Sequence, residues 1–205
     1  MSTSTLETET HVATPAPLPS ALGDPFALGL ASFGISALVL SSVMSGLIGG
    51  AALPAVLALA FALGFFTELV AGIVHFQRGE TFPAVVFTTY AGFWLSYVML
   101  VQFFLPAVTE AKGDAAAITG VFLLAWAVFS TYMLLAAVRT TRTVLLIFVL
   151  LTAVFYLAAL GSFLGNTFLS ELAGFVLIAD ALVALYLSAA SIVAATWGRE
   201  VLPAP

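Results

Sequence analysis

The stretch VLLIFVLLTAVFYLAALGSF (residues 144–163) is an uninterrupted apolar run without a charged side chain. A helix needs roughly 20 such residues to cross a hydrocarbon core about 30 Å thick. A membrane β-strand would be shorter, about 10 residues, and would alternate polar with apolar positions. The run therefore predicts a transmembrane helix, which satisfies its backbone polar groups internally.

Similar runs fill most of the chain. Of its 205 residues, 62% are hydrophobic and only 7% are charged, whereas soluble domains carry about 25% charged residues. Hydropathy and the intervening polar segments divide the sequence into six spans, at roughly 26–47, 51–76, 84–105, 117–138, 144–163 and 172–197. We expect an all-α polytopic membrane protein in which residues 24–205 form a six-helix transmembrane bundle.

Residues 1–23 differ from everything that follows. They are rich in Ser, Thr, Pro and Ala, and they carry Glu7 and Glu9 but no Lys or Arg. This composition is typical of a disordered tail. A signal peptide would begin with a basic region ahead of an apolar one, so we expect the first apolar helix to be retained.

The few basic residues predict the orientation. Alternation of six spans puts Arg78, Arg139, Arg142 and Arg199 on one side of the membrane and Lys112 on the other. Short cytoplasmic loops are the ones that retain Lys and Arg. We therefore expect both termini in the cytoplasm and a multi-pass protein of the plasma (inner) membrane.

Ionisable groups at membrane depth are the first candidates for function, because a charge there is costly and usually serves a pathway. Glu68 lies ten residues before Arg78, and Asp180 lies nine after Glu171. At 1.5 Å per residue both are about 13–15 Å from a membrane face, at similar depth. They are candidates for proton coupling, with a hydrogen-bonded structural acid as the alternative. His75 shares a helical face with Glu68 and is a third candidate; contact with lipid headgroups is its alternative.

The remaining polar inventory is thin. Thr88 and Thr89 could bind a carboxylate through their hydroxyl groups. The single lysine lies in a loop, which excludes a retinal Schiff base. The absence of cysteine excludes thiolate sites, and too few intramembrane histidines are present for haem. We expect no cofactor, no metal and no nucleic acid partner, and the chain offers little support for an enzyme.

Three segments resemble the acetate uptake transporter family of the succinate-acetate permease type. DPFALGL (residues 24–30) is similar to that family's Asn-Pro-Ala-Pro-Leu-Gly-Leu signature. AGIVHFQRGETF (71–82) and FTTYAGFWL (87–95) match its second pattern, and GSFLGN (161–166) matches its third. The helix-start positions are Asp24, Pro25, Leu28, Gly29 and Leu30.

This resemblance implies transport of acetate or a similar small monocarboxylate, with succinate as a further candidate, by a mechanism that is proton-coupled or channel-like. It implies a homo-hexamer in lipid with one pathway in each protomer. It assigns a hydrophobic constriction to Phe33, Tyr90 and Leu151, and substrate selection to Asn166 and Ala184. Helical rise independently places Phe33 and Leu151 about 13 Å from the cytoplasmic end, so a ring at one height is possible.

Three positions depart from the family pattern. Glu68 replaces a usual Gln, Asp180 replaces a small or neutral residue, and Asp24 replaces Asn. Ionised acids would repel acetate, whereas protonated acids could donate hydrogen bonds to it or couple its movement to a proton. The departures also leave open a different substrate, or a structural or signalling protein of the same fold that no longer transports.

Overall fold

Six long helices make up most of residues 22–203, the part of the chain that the computed structural model describes. Each is long and apolar enough to cross a membrane, which confirms the predicted all-α, six-span class. The predicted tail lies outside the described residues apart from Leu22 and Gly23. The helices are α1 (Phe26–Met44), α2 (Gly50–Gln77), α3 (Thr81–Glu110), α4 (Ala115–Ala137), α5 (Arg142–Leu164) and α6 (Thr167–Trp197).

Short polar residues start the later helices. Asp114, Thr141 and Asn166 precede α4, α5 and α6, and each accepts a hydrogen bond from the backbone N–H three residues later, at 2.9, 3.3 and 3.1 Å. Such caps satisfy N–H groups that have no partner inside the helix. Gly165 ends α5 with a left-handed φ of 57°, a conformation that glycine adopts without strain.

Two helices contain π-helical segments, Ala60–Thr67 in α2 and Leu100–Phe104 in α3. A π segment rotates the side chains that follow it relative to a regular helix, and such segments are frequent at functional sites. The first ends directly before Glu68. The second lies just before Pro106, whose missing N–H cannot continue the regular hydrogen-bond ladder.

The helices contact one another in a closed ring. α1 packs against α2 and α6, α5 packs against α4 and α6, and α3 packs against α2. A smaller contact between α3 and α4 closes the ring. The α1–α6 contact is close at Gly174, where an added Cβ would overlap the backbone of Met44 and Ser45. Aromatic rings instead keep α3 away from α4, with the Phe93 and Phe122 centroids 6.0 Å apart. The ring is therefore tight on one side and wide on the other.

Candidate functional site

Two cavities lie along the inside of the helix ring. The first, of about 40 Å³, is near the starts of α1, α3 and α5, and the second, of about 200 Å³, is near their other ends. We call the first the basic-end cavity because Arg78, Arg139 and Arg199 follow helices that end there, and Arg142 begins α5 at the same end. Phe33, Tyr90 and Leu151 belong to the walls of both cavities. The three residues therefore separate the two spaces.

The walls are almost entirely apolar. The basic-end cavity is lined by the aromatic rings of Phe26, Phe82, Phe87 and Phe148. Among the described residues, Glu68 is the one carboxyl or basic side chain in its wall. Aromatic and aliphatic side chains also dominate the larger cavity, where the part of the chain in the structure contributes no Asp, Glu, Lys, Arg or His. Among residues 22–203, neither cavity wall contributes a cation that would hold an anionic ligand.

Tyr90 is fixed at the division between the cavities by neighbours on two helices. Its hydroxyl group is 2.7 Å from Ser130 Oγ on α4, in a buried hydrogen bond. Its ring stacks on Phe155 of α5 at 6.4 Å with an interplanar angle of 6°. Because this hydrogen bond and the stacked rings of Trp126 and Phe155 hold it, the Tyr90 side chain has a defined orientation at the division between the cavities.

Glu68 is 1% exposed and faces the basic-end cavity. The Trp94 side chain of α3 lies beside it, but the geometry is not that of a hydrogen bond, since Glu68 Oε2 and Trp94 Nε1 both lack a partner among the described residues. Buried polar atoms normally have hydrogen-bond partners, so the lack of a partner for both Glu68 Oε2 and Trp94 Nε1 needs an explanation.

Asp180 is fully buried on α6, and neither of its carboxyl oxygens has a hydrogen-bond partner within residues 22–203. It is not part of either cavity wall. Both Asp180 and Glu68 are nevertheless close enough to the Tyr90 hydroxyl to interact with it electrostatically. The two acids predicted at similar depth thus lie around the same tyrosine.

His75 is 1% exposed, whereas the headgroup-contact alternative requires an accessible ring. Its Nδ1 is 2.5 Å from Glu80 Oε2, and Arg78 Nε donates to Glu80 Oε1 at 2.9 Å. Burial opposes the charge of Glu80, but the hydrogen bonds from His75 and Arg78 outweigh it and hold the pKa of the Glu80 carboxyl below its ordinary value. Sequence reasoning singled out His75 but not its pairing with Glu80, because that pairing depends on how the chain turns after α2.

The other residues predicted to select substrate lie outside both cavity walls. Thr88 and Thr89 are half-buried on α3, and Ala184 is fully buried on α6. Asn166 is exposed, and its side chain caps α6 through the N–H of Leu169. The structure therefore gives Asn166 a local structural role, and none of these four residues is part of the cavity walls that contain Phe33 and Tyr90.

The predicted helix-start motif keeps its local geometry despite the change from Asn to Asp. Asp24 Oδ1 accepts a hydrogen bond from the Phe26 N–H at 3.0 Å, as an amide oxygen would. Gly29 lets the Phe87 ring approach α1, and Leu30 lines the basic-end cavity. The two other motif residues are Pro25, which is buried, and Leu28, which is exposed.

The sequence of nearly the whole chain matches a known family of membrane proteins. The model of the GPR1/FUN34/yaaH family matches residues 6–199. The chain belongs to this family. Because the match extends over all six helices, the family assignment covers the cavities and the residues between them.

Individual relatives agree with the family assignment. The chain is 30% identical over 182 residues to the succinate-acetate/proton symporter SatP of Escherichia coli, covering 89% of this chain and 95% of SatP. It is 30% identical over 166 residues to the ammonia transport outward protein 3 of Saccharomyces cerevisiae, covering 77% of this chain and 58% of that protein. A solved structure of the bacterial acetate channel SatP superposes with a TM-score of 0.81 at 29% identity, covering 90% of this chain and 99% of SatP.

Proposed function

We propose that this GPR1/FUN34/yaaH family member transports acetate, or a similarly small monocarboxylate, through a path inside each protomer. The similarity to SatP, named as a succinate-acetate/proton symporter and as an acetate channel, supports this substrate class. The observation that carries the proposal is the pair of cavities that meet at Phe33, Tyr90 and Leu151. A substrate crossing the helix ring along its inside has to pass these three side chains.

Three apolar side chains at the narrow point act as a filter. An apolar constriction resists wetting and so opposes the passage of hydrated ions. Acetate presents a methyl group that tolerates contact with Phe33 and Leu151. Its charge is the obstacle, because the walls carry no cation among the described residues and Glu68 would repel an anion. Passage together with a proton removes this obstacle.

Glu68, Asp180 and His75 are the groups that we assign to proton coupling. Glu68 faces the basic-end cavity, and Asp180 lies near the Tyr90 hydroxyl at the constriction. Both have carboxyl oxygens without a partner among the described residues, so each can accept a proton, and Glu68 is the one of the two that lines a cavity. Coupled symport is favoured over a plain channel because a buried acid in a cation-free path permits passage of the neutral substrate most readily.

Assembly and placement complete the proposal. Large apolar side chains are exposed along the outside of the ring, such as Val121 and Leu135 on α4 and Phe168 on α6. Lipid and neighbouring protomers are the surroundings in which such a surface is stable. We assign a homo-hexamer in the plasma membrane with both termini in the cytoplasm, the basic end being the cytoplasmic one by the positive-inside rule.

A small amine is the second candidate substrate. One relative is named as an ammonia transport protein. Aromatic faces beside a carboxyl group, as at Trp94 and Glu68, attract a small cation and not an anion. This candidate and acetate require opposite charge preferences at the same constriction, so one assay separates them.

The test uses proteoliposomes at alkaline pH, where little acetate is present as the freely permeant neutral acid. Exchange of labelled acetate is compared with exchange of labelled methylammonium, and empty vesicles give the background. We expect acetate exchange well above background and methylammonium exchange at background. Methylammonium exchange without acetate exchange would favour the amine, and background exchange of both would reject transport of either.

A further inference from the structure

One face of α2 carries a row of small and polar residues directed at α3. Glu68, Gly72 and His75 are spaced at i, i+4 and i+7, which places them on the same helical face. All three are buried. The hydroxyl group of Thr88 on α3 lies directly over Gly72, where an added Cβ would overlap both Thr88 Oγ1 and the Thr88 backbone. We call this contact between the two helices the α2–α3 seam.

Polar atoms of the seam lack partners. Glu68 Oε2, His75 Nε2 and Thr88 Oγ1 are buried, and none of them has a hydrogen-bond partner within residues 22–203. Native proteins leave few such atoms unpaired, and the exceptions mark ordered water or functional sites. The helical rise from Glu68 to Gly72 is about 6 Å, and from Gly72 to His75 it is about 4.5 Å. These axial separations are longer than a direct hydrogen bond, so transfer of a proton along the row requires intervening water.

The row reaches the surface at the basic end. His75 Nδ1 contacts Glu80, whose side chain is 36% exposed. The His75 ring is held between aromatic rings, stacked on Phe87 at 5.5 Å and edge-on to Phe26 at 6.3 Å. One imidazole nitrogen therefore meets a solvent-exposed carboxylate while the other is buried and unpaired. An imidazole in this position can take a proton on one nitrogen and release one from the other.

Charged groups around the row are few. Arg78 donates to Glu80 Oε1 and, through Nη1, to the Leu22 carbonyl at 2.7 Å, so it anchors the outer end. Asp24 stands at the start of α1, next to Phe26. At the inner end Trp94 faces Glu68 from α3. Asp180 is the other acid near the constriction, where it interacts with Tyr90.

The row is distinct from the cavities except at one residue. His75, Gly72 and Thr88 are absent from both cavity walls, whereas Glu68 lines the basic-end cavity. The seam thus ends on the substrate path without being part of it. A proton can move along a row of hydrogen-bonding groups that is too closely packed to admit an organic acid.

We propose that Glu80, His75, Thr88 and Glu68 form a proton path along the α2–α3 seam, connecting the basic-end surface to the substrate path. The inference rests on the proposed acetate transport and names the route of its proton. Glu80 takes up a proton from solvent and passes it to His75 Nδ1, and His75 releases the proton on Nε2 to a bridging water. Thr88 Oγ1 accepts that proton as it gives its own to the next water, and the Glu68 carboxylate takes up one proton. No net charge remains on the intermediate groups.

Thr88→Val is the decisive variant, because valine has nearly the same shape as threonine and lacks the hydroxyl group. Two rates are measured in proteoliposomes, with a pH dye inside the vesicles. Net acetate uptake driven by a pH gradient requires proton release at every cycle, whereas acetate exchange at equal pH does not. We expect Thr88→Val to reduce net uptake and the accompanying acidification at least tenfold and to keep exchange within twofold of the parent protein.

Matched variants separate the hydroxyl effect from a loss of structure. Thr88→Ser should restore net uptake because it returns the hydroxyl group. Thr196→Val is the control, since the exposed Thr196 hydroxyl donates to its own helix at the Ile192 carbonyl, 2.8 Å away; both rates should be unchanged. If Thr88→Val does not fold, Glu80→Gln at the exposed end tests the same path and should show the same selective loss.

The outcomes are distinguishable. Net uptake of the folded Thr88→Val protein at the parental rate would overturn the path, and so would an equal loss of net uptake and exchange, which would place Thr88 on the substrate route. Absence of acetate exchange in the unaltered protein would instead reject the proposed function on which the path depends.

Discussion

The inside of the helix ring and the α2–α3 seam are built in opposite ways. Along the inside, large rings hold the helices apart and leave two cavities that meet at Phe33, Tyr90 and Leu151. At the seam, Gly72 lets the α3 backbone approach so closely that a single Cβ would not fit. The wide region has volume and few polar atoms, whereas the tight region has closely packed backbones and buried polar atoms that lack a partner among the described residues. An organic acid needs the open volume of the wide region, whereas a proton needs only the polar atoms of the tight region.

The largest expected effect comes from filling the wide region. Leu151→Trp puts a bulky side chain where the two cavities meet. We expect acetate exchange in proteoliposomes to fall about 100-fold or to background, because protein interiors do not compress to make room. The effect should include net uptake, since any substrate movement requires the same opening.

A control on the same helix separates blockage from damage. Leu160 is 48% exposed on the outside of α5, so Leu160→Trp should transport like the parent protein. If Leu151→Trp folds and exchanges acetate at the parental rate, the constriction does not lie on the route.

An intermediate effect is expected from crowding the tight region. Gly72→Ala forces α2 and α3 apart at Thr88, and we expect a loss of about 1–3 kcal/mol of stability, the usual cost of overpacking. Thermal unfolding in detergent measures it. Gly92→Ala on α3 is the matched control, because its added Cβ meets no atom within 4 Å. Equal melting temperatures for the two variants would show that the seam is not tightly packed.

The smallest effect concerns the surface end of the seam. Because the pKa of Glu80 in the folded protein lies below its ordinary value, its ionised form contributes stability above the ordinary pKa of about 4.3. That contribution is lost as the pH falls through the lowered value. Glu80 is partly exposed, so solvent screening limits it to less than about 1 kcal/mol.

Melting temperatures of the parent protein and Glu80→Gln from pH 7 to pH 3 measure this contribution. The parent should be more stable at pH 7, and the difference should shrink toward acid. A difference that grows as the pH falls would reverse the assigned sign.

The fold was predictable because its main determinant is local. Runs such as residues 144–163 are long, apolar and uncharged, and lipid leaves a helix as the way to bury their backbone. The ends of the helices were predicted less well. Helix α3 continues to Glu110, past the predicted end at residue 105, and α6 begins at Thr167, before the predicted start at residue 172. In both places a short polar or proline-containing segment continues the helix instead of interrupting it.

The candidate site was predictable only in part. Resemblance and helical rise led to Phe33, Tyr90 and Leu151, and the structure places all three between the cavities. The burial of His75 and its pairing with Glu80 required the turn at Gly79, whose φ of 75° folds the chain back. The close approach of Thr88 to Gly72 depends on how two helices pack, which hydropathy does not encode.

The most direct test of two separate routes compares Leu151→Trp with Thr88→Val in one proteoliposome experiment that records both acetate exchange at equal pH and net uptake driven by a pH gradient. We expect Leu151→Trp to abolish both rates and Thr88→Val to lower net uptake at least tenfold while exchange persists. If the two folded variants lower exchange and net uptake in the same proportion, acid and proton share a single route, which contradicts a separate proton path along the α2–α3 seam.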